Sequence, residues 1–428
     1  MEAFYDAVVI GGGPAGSTVA TCLARAGRRA LVLEKERFPR FHVGESLLPY
    51  SLPILDRLGV AEKVRAAGFQ EKYGAYFWND LAGEGVRPVV FRDASNDRHP
   101  MAYQVKRAEF DELLLKHAEA SGAEVRQETA VSEVLFEGSR AVGVRAARRG
   151  GQPEEIRARA VVDASGQSAF LSQKLGTRRF DSKLKRAALF GHYANVRWPE
   201  ENRPGDILLP VDAGVWYWII PFSDGSCSVG AVYEPSLARE SGGPTLEARF
   251  DWLLARSPRM GRLLAGSRRT SAVHAISDYS ATSAKMRGDG YVLVGDAATF
   301  LDPVFSTGVF LALATGERAA LAVDTALAAH GRLDSADLVR YEREARKLFT
   351  RFRRFVYNFY DPTFLEAFCT PDPPQRMRRA VTTILAGGVD RPSFGVRVWP
   401  RLMLWGIGID RFQRKLRSRF ERPRSVAS

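Results

Sequence analysis

The first residues able to do chemistry are three glycines and an acid near the start of the chain. Gly11, Gly13 and Gly16 satisfy G-x-G-x-x-G after the apolar run Ala7–Ile10, and Glu34 ends the next apolar run. The first glycine allows a tight turn, the second lets backbone approach a pyrophosphate, and the third lets helix and strand pack closely. The terminal acid is placed to accept a hydrogen bond from a ribose hydroxyl. This order of elements predicts a dinucleotide-binding turn, with a purely structural glycine turn as the alternative.

Two later strand ends carry residues suited to the same site. Asp163 begins a turn after an apolar strand, and Gly295 and Asp296 follow the apolar run at 291–294. Asp296 is placed to hydrogen-bond the hydroxyls of a flavin's ribityl chain. Free N–H groups at a helix beginning near Thr307 would face the electron-rich edge of the flavin ring. Three segments far apart in sequence are therefore expected to meet around one cofactor.

The composition is ordinary for a globular chain and predicts neither a metal site nor disulfides. Of 428 residues, 45% are apolar and 26% are charged. The three cysteines (Cys22, Cys227, Cys369) lie far apart without C-x-x-C spacing, which favours a reduced, cytoplasmic setting. The six histidines show no ligand spacing. No apolar run reaches the roughly 20 residues of a membrane-spanning helix, and we expect no signal peptide before the first strand.

The chain is basic, with 62 lysines and arginines against 49 acids and a net charge of +13. Much of the excess lies late, at Arg351, Arg376 and through 411–424. Such a surface suits nucleic acid, a membrane face or an acidic protein. Because no nucleic-acid motif accompanies it, we expect no nucleic-acid partner. A solvated arginine-rich surface is one explanation, and docking of an acidic carrier protein bearing the substrate is another.

The pattern of elements predicts an α/β fold with interleaved domains. Short apolar runs alternate with helical segments in the first 180 residues, whereas 186–233 is rich in strands separated by Pro, Gly and Asp turns. Leu246–Leu264 is predicted to be helical. We expect a Rossmann-type FAD-binding domain formed by residues 1–72, 101–180 and 275–328. A β-sheet substrate domain would comprise 73–100 and 181–274, followed by a C-terminal helical region at 329–428.

Together these segments resemble FAD-dependent monooxygenases of the p-hydroxybenzoate hydroxylase-like fold. The resemblance covers nearly all of residues 1–325, and Arg107 matches that family's FAD-contacting arginine. An exposed helix arginine is the alternative for Arg107. The resemblance implies a set of cofactor-binding residues: Gly11, Gly13, Pro14, Ala15, Gly16, Glu34, Lys35, Arg40, Ser46, Arg107, Asp163, Gly295, Asp296, Gly308 and Val309.

One motif selects a branch of that superfamily. Trp216, Trp218, Ile220 and Pro221 form W-x-W-x-I-P, which resembles the signature of flavin-dependent halogenases. In a strand, both tryptophans and Ile220 would point to one face. A well-packed aromatic strand without catalytic role is the alternative. The resemblance implies that the paired tryptophans restrict substrate access to the flavin.

Lys72 matches the essential lysine of the halogenases and is the expected catalytic residue. The chemistry requires an amine that holds hypohalous acid by a hydrogen bond or reacts with it to form a haloamine. The covalent route needs a neutral amine, and burial lowers the pKa of a lysine. Arginine cannot substitute because it hardly deprotonates. An ordinary solvent-facing lysine is the alternative.

The segment 302–309 resembles the halide-binding segment of the family. Ser306, Thr307 and Gly308 are the implied halide-binding residues, and a helix N-terminus is a natural anion site. A capped helix start without an ion is the alternative. Tryptophan-specific members carry a glutamate where this chain has Phe305, so tryptophan is disfavoured as substrate. The expected substrate pocket consists of Phe305, Phe359, Tyr360 and Phe364, although an ordinary helix core explains the last three equally well.

The resemblance implies a two-component halogenase that uses reduced FAD, O2 and chloride or bromide to make hypohalous acid. A separate flavin reductase would supply FADH2, because the chain has one complete dinucleotide fingerprint. The implied substrate is an electron-rich phenol, pyrrole or activated carbon acid, free or bound to a carrier protein, in secondary metabolism such as antibiotic biosynthesis. Three alternatives remain open: an FAD-dependent aromatic hydroxylase, a geranylgeranyl-reductase-like flavin reductase, and a non-enzymatic flavin-binding decoy or redox sensor.

Overall fold

The computed structural model describes residues 4–80, 85–94, 99–212, 214–237, 240, 243–277, 280–369, 373–389 and 393–420. The helices are α1 (Pro14–Arg25), α2 (Leu52–Leu58), α3 (Ala61–Ala66), α4 (Arg107–Ala120), α5 (Phe170–Lys174), α6 (Leu246–Ala255), α7 (Pro258–Leu263), α8 (Gly295–Ala298), α9 (Gly308–His330), α10 (Val339–Phe359), α11 (Pro362–Phe368), α12 (Gln375–Leu385) and α13 (Phe394–Phe420).

The strands build two large sheets and two small ones. They are β1 (Phe4–Ile10), β2 (Ala30–Leu33), β3 (Gln70–Lys72), β4 (Gly74–Asn79), β5 (Gly85–Val90), β6 (Ala102–Gln104), β7 (Glu124–Arg126), β8 (Thr129–Glu137), β9 (Arg140–Arg148), β10 (Glu154–Asp163), β11 (Arg178–Phe180), β12 (Ala187–Ala194), β13 (Ile207–Asp212), β14 (Val215–Pro221), β15 (Cys227–Tyr233), β16 (Arg268–Arg269), β17 (His274–Ser277), β18 (Ala281–Ser283), β19 (Arg287–Gly288), β20 (Tyr291–Leu293) and β21 (Thr299–Phe300).

The first large sheet carries the glycine turn. Its order is β19-β20-β10-β1-β2-β7, and β1 pairs in parallel with both β2 and β10. Ile10 lies opposite Leu33 on one side and Asp163 on the other. The carboxyl ends of these three strands therefore meet at one edge, which is where ligands bind in open parallel sheets. The apolar run of β1 is buried along both faces, as expected for a parallel sheet covered by helices.

The second large sheet has the order β16-β12-β15-β14-β13-β4-β5, with β17 paired to β12. It is mixed: β13 runs parallel to β4, whereas β14 is antiparallel to β13 and β15. The two faces of this sheet pack into different apolar clusters. Trp216 belongs to the inner cluster, which continues into the first sheet, and Tyr217 belongs to the outer cluster beneath α6 and α7. The α/β fold with two interleaved sheets is confirmed.

The helices after the sheets differ from prediction at one place. The segment predicted as a helix over Leu246–Leu264 is two helices, because Ser257 is extended, caps α7 through Met260 N–H and precedes Pro258. The predicted C-terminal helices are present as α10 to α13. In α10 the buried face is aromatic, with Phe349, Phe352, Phe355 and Phe359 turned to the core. Among the described residues, no helix is long and apolar enough to cross a membrane.

Candidate active site

The glycine turn between β1 and α1 has the geometry of a phosphate-binding loop. Gly11 has φ of +102°, and a Cβ there would lie 2.6 Å from the Ala164 carbonyl oxygen. A Cβ on Gly16 would lie 1.9 Å from the Gly11 carbonyl oxygen, so helix and strand pack as closely as glycine allows. A Cβ on Gly13 would meet only Arg40, with Nη2 at 3.5 Å. The backbone at Gly13 is therefore open to a ligand.

Glu34 is held at the end of β2 by two backbone amides. The N–H of Gly12 donates to Oε2 at 2.8 Å, and the N–H of Glu36 donates to Oε1 at 2.9 Å. The side chain is buried but lines the cavity beside the turn. A carboxylate has further lone pairs, so Glu34 can also accept from a ribose hydroxyl.

A cavity of about 560 Å³ extends from the glycine turn to the inner face of the second sheet. It collects residues from three distant parts of the chain, including the turn after β10 and the start of α9. The predicted site residues that line it are Gly11, Gly13, Pro14, Ala15, Glu34, Lys35, Arg40, Ser46, Arg107, Asp296, Ser306, Gly308, Val309, Trp216, Trp218 and Ile220.

Arg107 is buried on the cavity wall and is not an exposed helix arginine. Its Nε and Nη2 donate to the two carboxylate oxygens of Asp111 at 2.7 and 2.8 Å, and Nη1 donates to the Val43 carbonyl at 2.8 Å. Arg40 shares Asp111 through Nη1 at 3.2 Å. The bidentate pair fixes the guanidinium plane. Two arginines are thus held at the cavity by one buried carboxylate.

Asp163 is placed differently from the prediction that it contacts the cofactor. Its Oδ1 accepts from the N–H and hydroxyl of Ser165, and its Oδ2 accepts from Leu171 N–H at 2.8 Å. It is fully buried and does not line the cavity, whereas Ala164 to Ser168 do. Asp163 therefore shapes the turn. Gly16 and Gly295 likewise lie behind the wall, where they allow close helix packing.

Asp296 lines the cavity at the start of α8. Burial raises the pKa of its carboxyl to about 7, against the opposing effect of the guanidinium groups of Arg107 and Arg178. Near neutral pH this group can be a hydrogen-bond donor as well as an acceptor. That property suits contact with hydroxyl groups of a ligand.

The predicted strand faces of the W-x-W-x-I-P motif are found in β14. Trp216, Trp218 and Ile220 line the cavity, while Tyr217 and Ile219 pack into the outer cluster. Pro221, at the strand end, does not line it.

Trp218 depends on its cross-strand neighbours. It lies opposite Gly230, where a Cβ would approach the indole to 2.1 Å. Its Nε1 donates to Ser228 Oγ at 3.1 Å. Trp218 is consequently fixed by a glycine and a serine on β15. We call the cavity face formed by Trp216, Trp218 and Ile220 the tryptophan wall.

Lys72 is buried at the end of β3 and is not a solvent-facing lysine. Its Nζ donates to Ser46 Oγ at 2.7 Å and to the Leu47 carbonyl at 3.1 Å, and lies 5.2 Å from the Phe91 ring centre. Burial lowers the pKa of Lys72 to about 7, against the opposing charge of Asp206. Lys72 does not line the cavity, but Ser46 does. The amine therefore lies one side chain behind the cavity wall.

The turn before α9 contains an unsatisfied hydroxyl. Ser306 has φ of +55°, and its N–H donates to the Pro303 carbonyl at 2.8 Å. Ser306 and Gly308 line the cavity, whereas Thr307 does not. The Thr307 hydroxyl is buried without a hydrogen-bond partner among the described residues. Its position at the N-cap of α9 gives an anion site a second donor besides the free N–H groups.

The four aromatic residues predicted for the substrate pocket do not line the large cavity. They form a cluster behind the tryptophan wall: Phe305 lies 5.6 Å from Phe359, and Phe359 lies 5.7 Å from Tyr360, between ring centres. Phe364 is fully buried and stacks on Phe368 in α11.

A hydrogen-bond relay joins this cluster to two parts of the site. Trp216 Nε1 donates to the Tyr360 hydroxyl at 3.0 Å, which in turn donates to Asp302 Oδ2 at 2.6 Å. Asp302 also accepts from Val304 N–H and so caps the turn at Pro303–Phe305. The Arg186 guanidinium covers the Tyr360 ring at 4.1 Å. The relay connects the tryptophan wall with the turn before α9.

Sequence reasoning missed a polar and aromatic group at the cavity mouth. Glu45 is buried on the wall, and its Oε1 lies 2.8 Å from His192 Nε2. Phe41 stacks on His274 with 4.2 Å between ring centres. His42 also lines the cavity, and burial, followed by the charge of Arg107, lowers its pKa to about 4. The sequence signal that could have identified this group is the run from Phe41 to Ser46, which follows the loop after Glu34 and lines the cavity.

One group of potential metal ligands lies among the described residues. His330, Asp334 and Asp337 bring potential ligand atoms within 4.8 Å of one another. Asp334 is already bound by Arg140 and Arg332, and Asp334 and Asp337 form a helix capping box. The grouping is explained by capping and ion pairing.

The three cysteines are free, with Cys227 and Cys369 buried and Cys22 half-buried.

Comparison with known proteins relates this geometry to flavoenzymes. The family described as "FAD binding domain" matches residues 5–356. A tryptophan 2-halogenase of Chondromyces crocatus is 35% identical, covering 83% of this chain and 67% of the relative. A 1H-pyrrole-2-carbonyl peptidyl-carrier-protein chlorinase of Pseudomonas fluorescens is 33% identical, covering 90% and 89%. The solved structure of a myxobacterial chondrochloren halogenase, described as a new variant of FAD-dependent halogenases, superposes with a TM-score of 0.79. That structure is 34% identical and covers 94% of this chain and 97% of its own.

Proposed function

This chain belongs to the flavin-dependent halogenase family, and we propose that it halogenates an electron-rich phenolic, pyrrolic or activated carbon through Lys72. The observation that carries the proposal is the Lys72 amine, buried beside the cavity wall with a pKa lowered to about 7. A large fraction of the amine is neutral near physiological pH. A neutral amine can react as a nucleophile, and its protonated form can donate a hydrogen bond to hypohalous acid.

The residues of the cavity fit FAD. The open backbone at Gly13 would receive the pyrophosphate, Glu34 the ribose, and Asp296 the ribityl hydroxyls. Arg107 and Arg40 would hold the cofactor from the opposite wall. When bound in its reduced form, the flavin supplies the activation of O2 that oxidises halide to hypohalous acid.

The turn before α9 fits chloride or bromide. The buried Thr307 hydroxyl lacks a partner, and the first N–H groups of α9 are free of intrahelical acceptors. An anion there would satisfy the orphan hydroxyl and gain from the helix dipole. The N–H of Ser306 is not available to the anion, because it already donates to the Pro303 carbonyl; Ser306 only forms part of the cavity wall.

The tryptophan wall would separate the flavin from the substrate. Trp216, Trp218 and Ile220 present apolar surface to the cavity, so a substrate ring cannot enter the flavin compartment from this face. Hypohalous acid is small enough to pass, and Ser46 lies on the wall in hydrogen-bond contact with the Lys72 amine. We assign to Ser46 the role of orienting the amine toward the cavity.

The partners follow from the same arrangement. A separate flavin reductase would supply reduced FAD, and the substrate would be free or tethered to a carrier protein. The carrier alternative is supported by the relative named as a pyrrolyl carrier-protein chlorinase. Phe305 occupies the position at which tryptophan-specific halogenases carry a glutamate, so we expect tryptophan to be a poor substrate. The relative named as a tryptophan 2-halogenase makes indole substrates a necessary arm of the test.

The deciding experiment is mass spectrometry of a reaction with the protein, FAD, a generic flavin reductase, NADH and air. Phenols, pyrroles and indoles, free and carrier-bound, are each run with chloride, with bromide and with neither. A halide-dependent isotope pattern is expected for phenols or pyrroles. A gain of one oxygen that is indifferent to halide would instead identify an aromatic hydroxylase.

A further inference from the structure

Arg87 is a buried arginine on the inner face of the second sheet. It lies in β5 directly opposite Phe77 of β4, and paired residues of antiparallel strands share a face. Phe77 and Val89 both belong to the inner apolar cluster. Arg87 is only 5% exposed, and its Nε has no hydrogen-bond partner.

The surroundings of Arg87 are apolar and carry an excess of positive charge. Its guanidinium lies 5.9 Å from the ring centre of Phe368 in α11. Burial and the charge of Arg378 lower its pKa, while Cys369 and Asp93 oppose this. Asp93 lies 3.7 Å from Arg378 Nε. Within the described residues, no carboxylate forms an ion pair with Arg87.

A buried guanidinium without a counter-charge is unfavourable, and arginine cannot relieve the cost by losing its proton. Ion pairs elsewhere in the chain show the usual solution: the buried Arg107 has both oxygens of Asp111. At Arg87 the compensating group is absent from the described part of the chain. An anionic ligand group would supply it, because the planar guanidinium binds a carboxylate or phosphate through two parallel hydrogen bonds.

The place of Arg87 relative to Lys72 indicates which ligand this is. Lys72 Nζ lies over Phe91, the residue directly after β5, and Arg87 is four residues before Phe91 on that chain. At about 3.3 Å per residue, the backbone positions of Arg87 and Phe91 are about 13 Å apart along the strand. Phe77, opposite Arg87 on the inner face, packs against Phe305 and Phe359.

We propose that Arg87 binds a carboxylate or phosphate of the substrate, remote from the carbon that is halogenated near Lys72. This inference rests on the proposed function and narrows its substrate class. The substrate is an anion whose charged group is separated from the reactive ring by a spacer, because the backbone positions of Arg87 and Phe91 lie about 13 Å apart. Arg87 is a specificity-determining residue in this scheme.

The test compares para-hydroxyphenylalkanoates of increasing chain length with their primary amides, and adds a para-hydroxyphenylacyl thioester of phosphopantetheine. Variants are Arg87→Met and, as matched control, Arg92→Met, because Arg92 is an exposed arginine two residues after β5. Kinetic constants are measured in the halogenation assay, and binding is measured separately by ligand-induced shifts in melting temperature.

The wild type is expected to prefer long acids over their amides. Arg87→Met should raise the KM for the acids by about 10-fold or more, as for a lost charge-assisted contact, with kcat and the amide KM unchanged. Arg92→Met should behave as wild type. The phosphopantetheine arm distinguishes a phosphate source from a carboxylate source, since only the preferred anion should lose affinity on Arg87→Met.

The melting temperature separates the proposal from a purely structural role for Arg87. Under the proposal, Arg87→Met removes an uncompensated charge, so its melting temperature should equal or exceed that of the wild type. A lower melting temperature with equal loss for acids and amides would overturn the proposal, as would acid binding that is unaffected by the substitution. Because binding is followed without turnover, the absence of halogenation would refute the proposed function and not this site.

Discussion

The molecule has a nucleotide half around the first large sheet and a second half around β3 and the second large sheet. Charged side chains are buried in both halves, but the groups that bond to them differ. In the nucleotide half, Glu34 accepts from two backbone amides and Asp163 from two amides and a hydroxyl. Around β3 and the second large sheet, Lys72 donates to a serine hydroxyl and a carbonyl, and Arg87 has no ion pair among the described residues. The nearest acid to Lys72, Asp206, accepts instead from Tyr73 N–H at 2.6 Å.

The difference follows from what each half must do. Carboxylates bonded to backbone amides are fixed in position, which suits a cradle that is formed before its ligand arrives. The charge of the Lys72 amine changes with pH because its pKa is lowered to about 7. Arg87 keeps its charge, so a bound anion is the group that can compensate it. The nucleotide half is therefore suited to hold a ligand in a fixed geometry, whereas Lys72 and Arg87 are suited to respond to pH or to an anion.

The largest expected effect is on catalysis at Lys72. Lys72→Met should reduce halogenation by at least about 100-fold, the scale of a lost proton-transfer group, while FAD binding is retained. Lys72→Arg should fail equally because arginine does not deprotonate. Lys174→Met, at an exposed lysine, is the control, with product measured by mass spectrometry and FAD by absorbance. Retained halogenation in Lys72→Met would remove the lysine from the mechanism.

The buried amine should also make stability depend on pH. The pKa of Lys72 is lowered from 10.5 to about 7 on folding, so the unfolded chain binds the proton more tightly between these values. The free energy of unfolding of the wild type, relative to Lys72→Met, should therefore rise as pH increases from 7 to 10.5. The expected total is on the order of 5 kcal/mol, from about 1.4 kcal/mol per pKa unit over about 3.5 units.

Urea unfolding of both proteins at several pH values measures this difference. Asp296, whose pKa is raised to about 7, does not interfere, because its contribution ends at that pH and is common to both proteins. A difference between wild type and variant that stays constant across the window would contradict the lowered pKa of Lys72.

In the nucleotide half, we expect the largest effects from substitutions that disturb the close packing of the glycine turn. A Cβ at Gly16 would lie 1.9 Å from a backbone oxygen, so Gly16→Ala should cost about 1–3 kcal/mol of stability and weaken FAD binding. Gly261→Ala in α7 is the matched control, since no atom lies within 4 Å of its Cβ position. It should be neutral or stabilising. Unchanged FAD affinity in Gly16→Ala would show that the cradle adapts after all.

The smallest expected effect concerns the relay between the halves. Tyr360→Phe leaves Trp216 Nε1 and Asp302 Oδ2 without this partner, which should lower stability by about 1 kcal/mol and change tryptophan fluorescence. Tyr357→Phe removes the hydroxyl of a half-buried tyrosine in the last turn of α10, three residues before Tyr360, and should leave the fluorescence unchanged. Equal fluorescence changes in the two variants would argue against a relay specific to Trp216.

Much of the nucleotide half follows from local sequence. The G-x-G-x-x-G turn, the acid ending β2 and the helix beginning at Pro14 depend on backbone sterics within about 30 residues, and the structure has these elements at the predicted places. Alternation along 216–220 likewise determined which side chains face the cavity, because strand side chains alternate regardless of the partner strand.

Only the tertiary structure decided how charge and hydrogen bonds are distributed among distant residues. Lys72 meets Ser46 across 26 positions, and Trp216 meets Tyr360 across 144. Asp163, expected at the cofactor, accepts hydrogen bonds within its own turn. The burial of Arg87 without an ion pair among the described residues depends on the elements packed around β5. Local patterns specify elements, whereas desolvation and pairing depend on every element packed around a group, which no local pattern encodes.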